Sequence, residues 1–514
     1  FPVGNLVPPR GNAVVIAAGM DSIPGLIMPR LEGPTLAILP NPNDPLGLLL
    51  VIAGRNGQET VAAATALGVG REALSGELAT IQAQEVPPRQ AYDAPRWVRV
   101  DRPLRFGEIM DPSELQAFGY VPGPIAVPFR TAPDLYTARD RALSALVRFR
   151  APPGPIMDVA VSRVDIALND IYLRSAPLRQ SEAAWPFGWV QRQFVSPETD
   201  EVQVGLPSYM LFGQNELQLR FDMRPLHRGD CIAVPGDIRA SVDPDSTIDL
   251  TGAHRFTTLP NLAFFTSSGF PFTRYADLSQ TAVVMPERPS QADLESFLTL
   301  LGRTAALVGY PPVNMQVVRP DALQSVADKD LIVIGTLGRQ AALQALLRNS
   351  PLQQEGSGLT VRLNDMLGDF RHLFGGERRG ELERVSALLA APGEALGALM
   401  GFESPLRSGR SVVALTGSSP AGMEAMLTAL RDPEQVPRVQ GDTALLSGGR
   451  VQAFRLGGTY TTGTLPPWLW PEYFMKDNPY VLLGILLAIL LVTPAPIYWI
   501  LRRRAAQRLR ERSV

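Results

Sequence analysis

The sequence predicts a mixed α/β plus all-β architecture: two α/β domains of one type flanking a β-sandwich, followed by one C-terminal transmembrane helix. Three observations carry this. An apolar strand, a Gly turn and an Ala-rich helix recur at two places far apart in the chain. Between them the texture changes to short alternating segments split by Gly, Pro and Asp. Near the end, Tyr480 to Leu501 is an apolar run without a charged side chain.

Composition narrows the classes. The 514 residues suit three or four domains of about 150 residues. Hydrophobic residues at 45% and charged residues at 19% exclude a wholly disordered chain. A net charge of −2 gives no basic field to draw nucleic acid. A single cysteine, Cys231, excludes an intrachain disulfide and a cysteine-rich zinc framework. His227, His254 and His372 are scattered, which argues against a multi-histidine metal site. The mean hydropathy of +0.04 averages a water-facing body and an apolar anchor.

The first α/β domain covers residues 1–95. Val51 to Leu67 reads as strand, Gly turn and helix, and Ala414 to Leu430 repeats it without gaps. Gly54 matches Gly417, Ala62 matches Ala425, and Thr65-Ala66-Leu67 matches Thr428-Ala429-Leu430. Val14 to Ala18 matches Leu331 to Gly335, and Thr35 to Leu39 is paired with Leu359 to Leu363. Continuous apolar runs between helices predict buried parallel strands with crossover helices. Nothing before Val14 supplies the strand and helix that open the second copy. The first domain therefore reads as incomplete at its N-terminus. The chain starts at Phe1 without a signal peptide and reads as processed or truncated.

The sandwich is placed at residues 96–276. Val159–Ser162, Asp165–Leu168 and Glu216–Phe221 are its alternating segments. Asn169-Asp170 predicts a hairpin turn, because both residues tolerate positive φ. Leu206 to Leu219, with Gly213 and Asn215 ahead of a strand, resembles lectin-like jelly rolls, which often bind sugars. The second α/β domain, residues 277–463, opens with a strand at Thr281–Met285. A helix over Gln291–Val308 follows, capped by Ser290.

Residues 464–479 form an interfacial segment rich in aromatics: Trp468, Trp470, Tyr473 and Phe474. Residues 480–501 span roughly 33 Å as a helix, enough for a hydrocarbon core of ~30 Å. Pro494 and Pro496 fall near its end. The tail, 502–514, carries Arg502, Arg503 and Arg504 directly after the span, and the positive-inside rule puts it in the cytoplasm. Everything before residue 480 is then extracytoplasmic. Trp499 suits the inner interface.

No catalytic constellation emerges. The Gly turns at Gly54 and Gly417 lack a Walker lysine and a GxGxxG spacing. Thr266-Ser267-Ser268-Gly269 is not a nucleophile elbow. His254 reads as a surface or loop histidine rather than a base. Asp243, Asp245 and Asp249 are glycosidase carboxylates by type alone and more naturally build turns. Trp185, Trp189 and Tyr172 are the candidate sugar-contacting aromatics. The tryptophans either stack on glucose rings or pack into a core or interface.

The segments Asp245 to Leu250, Leu259 to Phe265 and Ser267 to Pro286, with Gly401-Phe402-Glu403-Ser404-Pro405-Leu406, resemble the regulatory B subunit family of bacterial cellulose synthase. The resemblance covers essentially the whole chain. It implies flavodoxin-like α/β domains and carbohydrate-binding jelly rolls exposed to the periplasm, with a first jelly roll not represented here. It implies a non-catalytic accessory role. The anchor and interfacial segment would dock on the membrane-embedded catalytic subunit of the inner membrane, and the periplasmic domains would guide β-1,4-glucan. UDP-glucose, a divalent metal and cyclic di-GMP are expected on that catalytic partner, with no cofactor in this chain. Such proteins are often labelled cyclic di-GMP-binding, but the expected topology leaves only the arginine tail in the cytosol. A membrane-tethered periplasmic glycan-processing enzyme is the alternative.

Overall fold

The computed structural model describes residues 8–19, 26–70, 75–82, 86–138, 143–152, 157–178, 200–228, 231–232, 238–350, 352–356, 358–361, 376–389, 395–477 and 479–511. It is a mixed helix-and-sheet protein with several separate sheets and an apolar helix at its C-terminal end.

The first unit holds β1 (Ala13–Ala18), β2 (Thr35–Asn41), β3 (Asp44–Gly54), α1 (Gly57–Val69) and β4 (Leu78–Thr80), with sheet order β1-β3-β2-β4. β1 is parallel to β3, but β2 runs antiparallel to both β3 and β4. The tight connection through Pro42 and Asn43 dictates this, because a crossover to a parallel strand needs about a dozen residues. Asn56 caps α1 by accepting the Glu59 N–H at 3.0 Å. A Cβ on Gly54 would sit 2.5 Å from the Glu59 Cβ, so only glycine lets the strand end tuck under the helix.

Next come β5 (Leu104–Arg105), β6 (Gln116–Phe118), β7 (Ile125–Arg130), β8 (Leu135–Tyr136), β9 (Leu143–Arg150), β10 (Arg163–Leu168), β11 (Ile171–Pro177), β12 (Asp200–Leu206), β13 (Gln214–Asp222), β14 (His227–Arg228), β15 (Cys231–Ile232), β16 (Arg239–Val242), β17 (Thr247–Asp249) and β18 (His254–Leu259). One antiparallel sheet is ordered β11-β10-β13-β7. The other runs β5-β17-β9-β16-β6, with β12 added along β9. One apolar core fills the space between them. Phe149 and Phe221 meet edge-on in it, at a centroid distance of 6.3 Å. The Asn169-Asp170 hairpin forms as expected, with φ of 50° and 65°. Val159 to Ser162 is not a strand. Asp158 gathers the N–H groups of Ala160, Val161 and Ser162 and folds them into a turn.

The second α/β unit contains α2 (Leu262–Ser268), β19 (Thr281–Val284), α3 (Gln291–Val308), β20 (Gln316–Val318), β21 (Asp330–Ile334), α4 (Ala341–Leu346), β22 (Leu352–Glu355), β23 (Gly358–Val361), α5 (Gly376–Leu389), β24 (Gly397–Glu403), β25 (Ser411–Gly417), α6 (Pro420–Ala429), β26 (Thr443–Ser447) and β27 (Arg450–Phe454). Its sheet of seven strands is ordered β20-β19-β21-β25-β24-β26-β27. The first four are mutually parallel and the last three antiparallel, which corrects the all-parallel expectation. The cause is again short connections, the loop 404–410 and the Gly448-Gly449 turn. Ser290 caps α3 as expected, and the structure adds a reciprocal bond from its backbone N–H to the Asp293 side chain, completing a capping box.

The internal repeat is real in three dimensions. The order β1-β3-β2-β4 reappears as β21-β25-β24-β26, with the same parallel and antiparallel relations. Gly417 tucks beneath α6 as Gly54 does beneath α1. The pairing of Thr35–Leu39 with Leu359–Leu363 is corrected by this topology. β2 corresponds to β24, whereas Leu359–Val361 lies in the separate β22–β23 hairpin. Both segments are apolar and precede Asn, so composition alone could not separate them. With Gly54 set on Gly417, strand pairing makes Val14 and Ile16 equivalent to Ile332 and Ile334, which moves the expected match of Val14–Ala18 with Leu331–Gly335 by one residue. Val14 and Ile16 are 61% and 70% exposed, whereas Ile332 and Ile334 are fully buried beside α3.

The sandwich boundary expected at 276 falls earlier. Leu262, Phe265 and Phe272 join the core of the second α/β unit. Residues 89–97 cross the same junction, where Trp97 packs with Leu259, Phe270 and Val308.

Candidate functional site

Two regions bear on function: the collar where the body meets the C-terminal helices, and the outer face of the sandwich that carries Tyr172.

The collar is built on β18, which lies between β8 and β28 (Tyr460–Gly463). β28 thus returns the chain from the second α/β unit to the base of the sandwich. A Cβ on Gly463, whose φ is +93°, would lie 2.0 Å from the Arg255 carbonyl oxygen, so the close approach demands glycine. The Thr464 N–H then donates to that carbonyl at 2.9 Å. A short turn leads into α7 (Trp470–Asp477), α8 (Pro479–Val492) and α9 (Pro494–Glu511).

The aromatics of α7 and of the turn before it divide between inward and outward positions. Trp470 and Tyr473 turn inward onto Phe256, with ring centroids 5.3 and 4.9 Å away. Tyr136 closes the cluster 5.9 Å from Tyr473, and the Tyr473 hydroxyl bonds to Thr258 Oγ1. Trp468 is 76% exposed and Phe474 is also exposed, though stacked on Trp470. The aromatics expected at the membrane interface therefore do two jobs. One pair fastens the helix to the body and the other remains outward. Phe256 and Tyr136, which make the fastening possible, lie more than 200 residues upstream and carry no local signal.

A buried ion pair backs this cluster. Arg255 Nη1 meets Asp134 Oδ1 at 3.1 Å, with both side chains largely buried. The Tyr92 hydroxyl donates to Asp134 Oδ2 at 2.5 Å, and its ring lies 4.2 Å under the Arg255 guanidinium. Burial first, then the Asp134 charge, push the Tyr92 hydroxyl well above its ordinary value. Beside it, Asp277 ties residues 86–97 to the second α/β unit. It accepts from Arg89 N at 2.9 Å, Asn314 Nδ2 at 2.8 Å and Ser279 N at 3.1 Å. Burial raises the Asp277 carboxyl, but these hydrogen bonds outweigh it and hold the group below its ordinary 3.8. A lowered folded-state value adds stability that is present above about pH 4 and lost as pH falls through it. The D277N variant is expected to unfold at lower urea than wild type at pH 7. The gap should narrow below pH 4, and a gap of constant size from pH 7 to 3 contradicts the assignment.

Among the described residues, one stretch is long and apolar enough to cross a membrane, Leu486–Arg504. The expected span at 480–501 is divided at Thr493 between α8 and α9. Pro494 opens α9, where its missing N–H leaves no intrahelical bond unmade. Thr493 Oγ1 donates to the Ile489 carbonyl across the joint at 2.7 Å. Arg502, Arg503 and Arg504 continue the same helix, and the Arg503 guanidinium sits 3.7 Å over the Trp499 ring.

On the sandwich, Tyr172 is 62% exposed on edge strand β11. Trp185 and Trp189 lie outside the described residues. Asp243, Asp245 and Asp249 hold turns, as the sequence suggests. Asp243 Oδ1 accepts from Asp245 N, Asp249 Oδ1 accepts from Thr251, and Asp245 and Asp243 pair with Arg105 and Arg150. His254 is half-buried in a strand opposite Tyr136, not in a loop. No group of three or more His, Cys, Asp or Glu suited to a metal occurs among the described residues.

Fold and site together define a class: tandem α/β units around a β-sandwich, with a membrane-type apolar helix fastened to the body by an aromatic collar. Family models match along the chain: "Cellulose synthase BcsB, first FD domain" at residues 1–81, "second CBM domain" at 103–247 and "second FD domain" at 255–415. The chain belongs to the BcsB family of cellulose synthase proteins. It is 38% identical, over its whole length, to 65% of a cyclic di-GMP-binding protein of Komagataeibacter xylinus. It is 34% identical to a protein of that name from Pseudomonas fluorescens, covering 98% of this chain and 67% of the relative. Cellulose synthase 2 of Novacetimonas hansenii is 38% identical over 99% of this chain and 32% of that protein. The chain thus spans about two thirds of the length of the cyclic di-GMP-binding proteins it matches.

Proposed function

We propose that this chain is a non-catalytic regulatory subunit of a bacterial cellulose synthase. It sits beside the catalytic subunit of the inner membrane through its C-terminal helix. Its bulk lies in the periplasm, its arginine tail in the cytoplasm, and its domains guide the emerging β-1,4-glucan. In this reading the α/β units are variants of the flavodoxin-like fold and the sandwich is a carbohydrate-binding jelly roll. UDP-glucose, a divalent metal and cyclic di-GMP act on the catalytic partner.

The observation that carries the reading is the collar. Trp470 and Tyr473 lock the helix to the body, while Trp468 and Phe474 stay available to lipid or to a neighbouring membrane protein. A helix coupled in this way transmits position, which an accessory subunit needs and a flexible tether does not provide. The turn-building roles of Asp243, Asp245 and Asp249 support binding over hydrolysis. A secreted variant lacking residues 468–514 is expected to abolish glucan synthesis by the membrane complex. Wild-type synthesis from that variant overturns the docking role.

A further inference from the structure

In the sheet β11-β10-β13-β7, Val164, Ile166, Leu168, Leu217, Leu219 and Val127 are buried in the sandwich core. The alternate residues form the outer face. Register places Tyr172 opposite Ala167, Ala167 opposite Gln218, and Gln218 opposite Ala126. With strands ~4.8 Å apart, this row is roughly 14 Å long. Alanines on both sides of Gln218 keep the floor low, and Tyr172 stands exposed at one end.

The polar groups are held in place. The Tyr172 hydroxyl lies 2.9 Å from Ser175 Oγ, which donates to Asp165. Gln218 Nε2 donates to Asp170 Oδ1 at 2.9 Å and to Glu216 Oε1 at 2.7 Å, leaving its carbonyl oxygen as the acceptor for a ligand. The next row, Glu216 opposite Pro128, opens into a cleft of about 260 Å³ lined also by Arg96, Asn169 and Gln214. On the face Arg163 pairs with Asp165 and Arg224 with Asp222, and the positive charge of the exposed Arg220 is offset by the carboxylates of Glu216 and Asp170. A polyanion meets no net field there, and a protein partner meets no broad apolar patch. An exposed ring, oriented amide and carboxylate acceptors, and near-neutrality match a polyhydroxylated neutral chain. The open face of a sheet admits an extended ribbon better than a coiled one.

We propose that this face is a binding trough for a single β-1,4-linked glucan chain, with Tyr172 stacking on a sugar ring and Gln218 bonding to its hydroxyls. The proposal rests on the glucan-guiding reading above. The test is titration of the full chain in lipid nanodiscs with cellohexaose, with maltohexaose as the comparison. Wild type is expected to bind cellohexaose in preference to maltohexaose. Y172A should weaken that binding about tenfold and Q218A about fivefold, while Y172F stays within about threefold. Wild-type affinity in both Y172A and Q218A, or equal binding of the two sugars, overturns the trough and leaves glucan guidance by other surfaces standing. Absence of any cellohexaose binding by wild type overturns the guiding reading itself.

Discussion

The D134A variant is expected to lose about 3–5 kcal/mol of folding stability, because it strands the Arg255 guanidinium in a buried site without its counter-ion. Arg255 Nη1 lies 3.1 Å from Asp134, and its remaining protein bond is a 3.3 Å contact from Nη2 to the Val98 carbonyl. Tyr92 loses its acceptor at the same time. A charge taken from water and left unpaired costs far more than an exposed ion pair contributes. Urea unfolding of the full chain in detergent measures the effect. A change under about 1 kcal/mol would place the Arg255 charge in solvent, contrary to its burial. D134N keeps the volume and one acceptor for Tyr92 or Arg255, and should fall between.

The F256A variant should be comparably severe, at about 3–5 kcal/mol, and its consequences reach the anchor. Phe256 is the hub of the collar: Trp470, Tyr473 and Tyr136 all meet its ring edge-on. Removing it opens a cavity that backbone cannot refill, since β18 is fixed on both sides by β8 and β28. The inner face of α7 then loses its partner. Limited proteolysis should cut the 464–477 stretch in F256A well before wild type, and F256L should be intermediate. Equal cleavage of F256A and wild type would mean that the helix is held by something other than this ring. On the docking role proposed above, glucan output from complexes carrying F256A should also fall, because the inner face of α7 has lost its partner.

Several elements were legible because their causes are local. The Ser290 cap, the positive-φ turn at Asn169-Asp170 and the apolar run after Pro479 each depend on a few neighbouring residues. The repeat was legible through Gly54 and Gly417 because a strand passing under a helix start excludes any Cβ. Strand direction was misread where apolar runs looked alike. β2 and β24 are as apolar as their parallel neighbours, and the length of the connecting loop decides their direction.

Of the collar, the sequence picks out a cluster of aromatics but not the face that each one presents. Trp468, Trp470, Tyr473 and Phe474 read as one interfacial cluster, and nothing in their spacing says which pair turns inward. The answer lies in Phe256, Tyr136 and Thr258, whose side chains reach α7 only because β28 comes back beside β18.

The sequence by itself determined the long apolar stretch near the C-terminus, the two related α/β units, the β-rich middle and the Gly turns that lack a Walker lysine. These follow from hydropathy, periodicity and turn chemistry, which act over a few residues. Only the tertiary structure decided the mixed direction of the sheets, the collar that joins anchor to body, and the row from Tyr172 to Ala126. Those depend on which distant strands pair and in what register. Pairing is set by packing and chain connectivity across the whole molecule, so no single stretch of residues contains it.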